Sequence, residues 1–475
     1  MDTPAGFGVV VNQNEYMSRG DTDMHAIVTV TASGLRSAGL PRPAAEVIMI
    51  DCSGSMDAPP TKIAAARQAT CAALGVLRDG TLFAVVKGTH RAEVVYPADG
   101  RLAVADERTR TEAVAAVNRL ISDGGTAMST WLALAARLFA PHPGLIRHSI
   151  LLTDGYNGEP RQVLDAALRR CADAFVCDVR GIGADWSPQE VRRIGEVLHG
   201  DVDAVRRPAD LPADFTGLVE SAMGKAVADL QLRVKPMPFA RLRQVKQVLP
   251  AEVDLTDRGT RLDDGTVRFP TGNWGDEARA FGVWLEVDTD ALSVGEPAQA
   301  ARVSLAVDDA EVPAGSAAIR ATLTEDFRLS IRLDPVVRHY DGETELGEHI
   351  EAGCGAYDAD DLPRAAERWG RAVALATRLG NEDSLRRLLR LVEVVGDPAD
   401  GRVVVRPGLT AEDIRWAGMS STRSSIAPGV ADGVPRVEAE AAGPDRQCPR
   451  CSYVSPPTAR FCGRCRHELA GGAGP

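Results

Sequence analysis

The stretch Glu46-Val47-Ile48-Met49-Ile50-Asp51-Cys52-Ser53-Gly54-Ser55 sets an apolar run against an abrupt polar turn. The run is short enough for a strand buried on both faces of a sheet. The turn carries one carboxylate and two hydroxyls, spaced by a Gly that lets the backbone fold back so that both hydroxyls face one point. Two later pieces complement it. Gly124-Gly125-Thr126 falls between helical stretches, and Thr153-Asp154-Gly155 closes a second apolar run, Ser149-Ile150-Leu151-Leu152. A hard divalent cation such as Mg²⁺ takes about six oxygens in near-octahedral geometry. Asp51, Ser53, Ser55, Thr126 and Asp154 offer such a set: two carboxylates to balance the charge and three hydroxyls, with water or a partner group completing the shell. Mg²⁺ or Mn²⁺ is the expected ion. With both carboxylates ionised the loaded site is near neutral, so an incoming carboxylate meets little repulsion from the protein ligands.

Outward from this turn, short β-branched runs alternate with helical stretches from Glu46 to about Gly224. Helices are expected at Thr61–Leu77, Thr109–Leu120, Ser129–Phe139, Arg161–Ala172, Pro188–Leu198 and Pro212–Ala228. Strands are expected at Leu82–Val86, Glu93–Tyr96, Ser149–Thr153 and Phe175–Gly181. This alternation implies a mainly parallel sheet covered on both faces. In such sheets ligands sit at the carboxyl ends of the strands where strand order reverses, and Asp51 and Asp154 both stand at a strand end.

The pattern Asp51-x-Ser53-x-Ser55, with Thr126 and Asp154 at later spacings, resembles the metal-ion-dependent adhesion site of von Willebrand factor A (VWA) domains. The resemblance covers about Glu46 to Gly224. It implies a doubly wound, Rossmann-like sheet with a metal at its top and a partner's Asp or Glu completing the coordination. All five metal-contacting positions of the family pattern are present.

From Gln231 to about Asp334 the pattern turns to strands alone, including Leu230–Val234, Arg279–Val287 and Ala301–Val307, which reads as a β-sandwich. Met24–Val30 is strand-like too, so the VWA unit (44–228) is expected to be inserted into a sandwich built from residues 1–43 and 229–337. That layout is similar to bacterial and inter-alpha-trypsin-inhibitor-like chains, and Gly272-Asn273-Trp274-Gly275 fits the pattern. Residues 340–398 are rich in Ala, Leu and Arg, with Gly353, Ala365, Trp369 and Ala372 at spacings like those of a tetratricopeptide helix pair; an unrelated hairpin fits equally well. Residues 399–446 read as a linker, with Ser420–Asp445 the flexible part.

Cys448-Pro449-Arg450-Cys451 and Cys462-Gly463-Arg464-Cys465 form two C-x2-C pairs, the arrangement of a closed tetrahedral Zn²⁺ site. About twenty residues cannot bury a stable core, so metal is the expected organiser of a zinc ribbon at 447–468. A thiol redox pair is the competing reading. The ribbon carries five Arg and two acids between Asp445 and Glu468. Protein docking is favoured there over nucleic-acid contact, since only Tyr453 and Phe461 offer stacking faces.

The whole chain, 475 residues with a net charge of -12, is long enough for two to four domains and disfavours whole-protein binding to polyanions. Cys52, Cys71, Cys171, Cys177 and Cys354 are scattered among apolar residues and read as buried thiols. There is no basic leader followed by an apolar run and no stretch of roughly 20 apolar residues, so a cytoplasmic protein without membrane contact is expected. No catalytic spacing surrounds the histidines. His90, His142 and His148 read as solvent-facing, and Arg169-Arg170 and Arg386-Arg387 as solvated helix faces. The expected role is non-enzymatic: a metal-dependent protein-interaction scaffold that grips an acidic group on a partner. Two alternatives stand beside it: a VWA subunit of an AAA+ ATPase-linked remodelling or metal-cofactor-insertion machine, and an RNA-binding particle component using the ribbon.

Overall fold

Two strands, β1 (Gly6–Gln13) and β2 (Asp23–Ser33), pair antiparallel near the N-terminus of the computed structural model, which describes residues 6–35, 43–430, 446–452, 454–455 and 467. The chain then enters an α/β unit through β3 (Ala44–Asp51), the apolar run before the turn. It continues as α1 (Thr61–Val76), β4 (Leu82–Gly88), β5 (Ala92–Tyr96), α2 (Glu107–Val117), α3 (Met128–Phe139) and β6 (Ile146–Gly155). After these come α4 (Arg161–Cys171), β7 (Val176–Asp185), α5 (Pro188–Val197), β8 (Val202–Val205) and α6 (Leu211–Met223). The sheet runs β8-β7-β6-β3-β4-β5, parallel from β8 to β4, with β5 antiparallel at the edge.

Successive side chains of β3 enter two different cores. Ile48 and Ile50 pack with Ile63, Leu74 and Phe215 on one face, and Val47 and Met49 with Trp131, Leu132 and Leu164 on the other. Burial on both faces is why the strand reads as an unbroken apolar run rather than an alternating one. Strand order reverses between β3, which leads to β4, and β6, which leads to β7. The crevice at the carboxyl ends of β3 and β6 is therefore where a ligand site is expected.

Six strands follow: β9 (Leu230–Pro236), β10 (Ala240–Leu249), β11 (Val267–Pro270), β12 (Glu277–Val287), β13 (Pro297–Val307) and β14 (Ala310–Leu323). β2 is hydrogen-bonded to β12 from Ala32 opposite Glu277 to Asp23 opposite Glu286. One sheet is β1-β2-β12-β10 and the other β11-β9-β13-β14, each finished by short edge strands. Val28 and Phe281 from the first share an apolar core with Leu232, Val303 and Ile319 from the second. Strands on both sides of the α/β unit in sequence thus pair in one sheet. Trp274, wholly buried, marks the junction: its carbonyl accepts from Ala226 and Val227 as the chain leaves α6, and its indole donates to Thr271 Oγ1 at 2.8 Å.

The C-terminal region departs from expectation. In place of a hairpin over 340–398, three helices pack together: α7 (Pro335–Asp358), α8 (Leu362–Leu379) and α9 (Glu382–Leu391). Gly353 leaves the space that the buried Trp369 indole fills, so this spacing is a packing device. The linker expected over 399–446 is also corrected up to residue 430, and its residues 431–445 lie outside the described residues. Val403–Val405 pairs with Val392–Val394, and Ala411–Gly418 forms α10, followed by a short 3-10 turn. Ile414 and Ala417 are buried against the helices, and Met419 joins the core of the α/β unit. The low apolar content of this stretch concealed that Ile414, Ala417 and Met419 are buried, although Val404 and Ile426 stay exposed.

Two basic side chains expected in solvent are instead buried. Arg387 grips Asp203 on β8, while Arg169 and Arg170 are exposed as expected. His148 is 4% exposed, between Glu46 Oε2 at 2.8 Å and Asp178 Oδ2 at 3.0 Å. Burial disfavours its imidazolium, but the two carboxylates outweigh that and push it up to about 10. Glu46, whose Oε1 is buried without a hydrogen bond, is raised by burial. Asp178 is lowered despite its burial, chiefly by His148. A lone His near a strand end reads as solvent-facing; only the register of β3, β6 and β7 places acids on both sides of it.

Candidate metal centre

Asp51 ends β3 and Asp154 is the last residue but one of β6, on the two neighbouring strands that flank the reversal. Both are wholly buried and Ser53 nearly so, whereas Ser55 and Thr126 are half-buried. The turn after β3 is fixed by its own backbone: Ser53 N–H donates to Asp51 Oδ1 at 2.8 Å, and Gly54 N–H to the Gly124 carbonyl at 3.0 Å. Gly124 has φ +76°, and a Cβ there would sit 2.7 Å from His90 Nδ1, so this residue is Gly for conformation and for space. Thr126 is then held by two loops: its carbonyl accepts from Gly158, and Ala127 N–H donates to the Thr89 carbonyl.

The side chains form a connected set. Thr153 Oγ1 donates to Asp51 Oδ2 at 2.7 Å, Ser53 Oγ and Ser55 Oγ are 3.0 Å apart, and Ser55 Oγ donates to Asp154 Oδ1 at 2.7 Å. Thr126 joins through space at Gly155. A Cβ built there would lie 3.2 Å from Ser55 Oγ and 3.8 Å from Thr126 Oγ1, so both hydroxyls face one small cradle that Gly155 leaves open. The donor set is all oxygen, as a hard cation prefers. Burial pushes the Asp51 carboxyl up to about 6 against the hydrogen bonds of Ser53 and Thr153, with Asp154 adding to the rise; a cation there would offset that cost. Among the described residues no three His, Cys, Asp or Glu side chains converge as metal ligands. The candidate set has two carboxylates, and its remaining oxygens are hydroxyls.

One residue at this site was not expected. Lys62, at the start of α1, reaches Asp154 Oδ2 with its Nζ at 2.8 Å, and both side chains are buried, at 8% and 0% exposure. Nothing in the spacing of Lys62 from the turn signals this; it depends on α1 starting above the end of β6. Beside the site, a cleft of about 280 Å³ opens between the loop after β6 and the start of α5, lined by Tyr156, Asn157, Arg161, Leu164, Glu190 and Arg193. Tyr156 at its edge is 58% exposed.

At the tail, Cys448 is buried, the Arg450 N–H donates to its Sγ at 3.4 Å, and Ser452 N–H to its carbonyl at 2.9 Å. Cys451 follows in the same turn, whereas Cys462 and Cys465 lie outside the described residues.

Residues 45–203 match the family model described as von Willebrand factor type A domain. A solved structure described as von Willebrand factor type A from Catenulispora acidiphila is 41% identical and superposes with a TM-score of 0.82, covering 89% of this chain and 98% of that one. That match extends well beyond the α/β unit. The ArnB paralog VWA2 from Sulfolobus acidocaldarius superposes with a TM-score of 0.52 at 14% identity, over 89% of this chain and 100% of that one, and shares the fold. No curated protein gives a significant match. With the sheet order, the turn after β3 and a near full-length relative in agreement, the chain belongs to the von Willebrand factor type A family.

Proposed function

We propose that this chain is a cation-dependent protein-interaction module that holds Mg²⁺ or Mn²⁺ through Asp51, Ser53, Ser55, Thr126 and Asp154. The observation that carries the reading is the cradle at Gly155, where Ser55 and Thr126 hydroxyls face one point and Ser55 is bonded to Asp154. The ion would supply a positive centre that accepts a partner's Asp or Glu oxygen in place of water. The chain's own residues do the rest. Asp51 and Asp154 balance charge, the three hydroxyls orient without adding charge, and the rigid strand ends keep the set in place. The outer side, at Gly54, Gly124, Gly125 and Tyr156, is exposed, so a partner can approach from there. Residues flanking the partner's acid would fall toward the cleft beside Tyr156.

The role is binding rather than catalysis, and the location cytoplasmic; both rest on the sequence. Among the described residues no helix is long and apolar enough to cross a membrane. Cys448, Cys451, Cys462 and Cys465 would hold Zn²⁺; the Arg450 N–H is directed at Cys448 Sγ. Titration of Mn²⁺ into the full chain tests the main reading. Thr126→Ala should weaken binding about tenfold and Asp51→Asn more, since each removes a ligand oxygen and the second also a charge. Unchanged affinity in both would overturn it. A partner captured in Mg²⁺ should be released by EDTA.

A further inference from the structure

We propose that Lys62 is a built-in counter-cation that competes with the divalent ion for Asp154, and so sets both the affinity of the site and its charge. The inference rests on the metal reading above and adds a residue to it.

The geometry makes Lys62 part of the site. Its ammonium lies 2.8 Å from Asp154 Oδ2, while Asp154 Oδ1 takes the Ser55 hydroxyl. Asp154 thus has both oxygens engaged, one by a neutral donor and one by a full positive charge. The contact is deliberate in the packing. Lys62 is 6% exposed although it begins a helix, and its side chain passes Gly183, where a Cβ would lie 3.1 Å from Cε and 3.3 Å from Nζ. Gly183 has φ +77°, so this position is Gly for conformation as well as for the space the lysine takes. A buried ammonium persists only when paired, and here the pair is one of the two carboxylates offered to the ion.

The consequence follows from charge. Asp51, Asp154 and Lys62 sum to −1, and a divalent ion brings the loaded site to +1. Without Lys62 the corresponding sums are −2 and 0. The lysine therefore repels the ion and weakens its binding, since like charges at close range in a poorly solvated site interact strongly. It also leaves the loaded site positive, so that an anionic group is attracted where a neutral one is not. Affinity for the ion is exchanged for selectivity toward an acidic partner.

Mn²⁺ titration by calorimetry on the full chain and on Lys62→Met, Lys62→Gln and Lys62→Arg decides this, with thermal shifts in EDTA and in Mn²⁺ as a second readout. Lys62→Met and Lys62→Gln should bind Mn²⁺ about tenfold or more tightly than wild type. Lys62→Arg, which keeps the charge, should not. In EDTA the two neutral variants should melt below wild type, because Asp154 loses its partner, and Mn²⁺ should raise their melting temperature by more. A purely structural lysine would give the loss in EDTA without the gain in affinity. If wild type binds Mn²⁺ and the neutral variants bind it no better, the competition is refuted and the metal reading stands. If wild type binds none and Lys62→Met does, the lysine holds the site alone and the competition is supported. If none of the four proteins binds Mn²⁺, the metal reading fails and this inference with it.

Discussion

Replacing Arg387 by Ala cuts a buried polar clamp between the C-terminal helices and the α/β sheet. Arg387, on α9, has a side chain 4% exposed and reaches both carboxylate oxygens of Asp203 at 2.8 Å. One of its nitrogens also donates to the Trp416 carbonyl at 2.9 Å, and the guanidinium carbon lies 4.8 Å from the Trp416 ring centroid. Asp203 belongs to β8, the edge strand of the sheet, so the clamp covers an edge that would otherwise be open. Burial penalises the Asp203 charge, but Arg387, Arg423 and Arg180 outweigh that and hold its carboxyl at about 2, against 3.8 ordinarily. That depression corresponds to about 2 kcal/mol of stabilisation, present above pH about 4 and lost as pH falls through about 2.

A buried charge left without any partner costs about 3–5 kcal/mol. Asp203 keeps Arg423 at 3.1 Å, so Arg387→Ala should cost less, about 2–3 kcal/mol. Overall melting does not localise this loss, because a chain with several cores need not unfold in one step. Hydrogen exchange read peptide by peptide is the right one. Opening of β8, α9 and α10 should become about 30- to 150-fold more frequent, while β3 and β10 should be unaffected. Unchanged protection of Val202–Val205 would refute the clamp, and uniform loss across the chain would show a general defect instead.

Two further outcomes are expected. His148→Leu should cost about 3–5 kcal/mol by leaving Asp178 and Glu46 without their cation. In wild type, because the His148 pKa is raised to about 10, its contribution is complete below about pH 6.5 and is lost as pH rises toward 10, so thermal melts across that range should slope less in the variant. Cys448→Ser and Cys462→Ser should each release the zinc proposed for the tail, measured by atomic absorption, without altering the Mn²⁺ binding proposed for the α/β unit; zinc retained in full by both would refute a shared site.

The α/β unit was legible because its strands are buried on two faces and its helices on one, patterns that survive in composition. β10 was not, since Ala240-Arg241-Leu242-Arg243-Gln244-Val245 has one face half-exposed and two register shifts against β12. The region after Asp397 was misjudged for a related reason. Its order comes from a few buried anchors, Ile414, Ala417 and Met419, and from arginines that reach across to acids more than two hundred residues away, as Arg423 does to Asp201. Long-range ion pairs leave no periodicity. His148 and Arg387 were misplaced on the same ground, because a basic residue is assigned to solvent unless its acid is known.

The convergence of the five candidate residues was legible for the opposite reason. Four of the five follow directly from strand ends or from a Gly-bearing turn, where local chemistry announces itself, and Gly124 marks the loop that delivers Thr126. Lys62 shares none of these signals, yet it changes what the other five can do. Counted without it, the loaded site is neutral and any oxygen donor is admissible; counted with it, the site carries +1 and favours an anion. The proposed preference for an acidic partner, which the five motif residues alone would leave to a near-neutral site, would thus rest on a residue outside the motif. It also bears on how the site should be tested. Asp154→Ala would remove a ligand and strand a buried ammonium in one step, so lost binding could not be separated from lost stability. Asp51→Asn keeps the shape, removes one charge and leaves the Lys62–Asp154 pair intact, which makes it the cleaner probe of whether a cation binds.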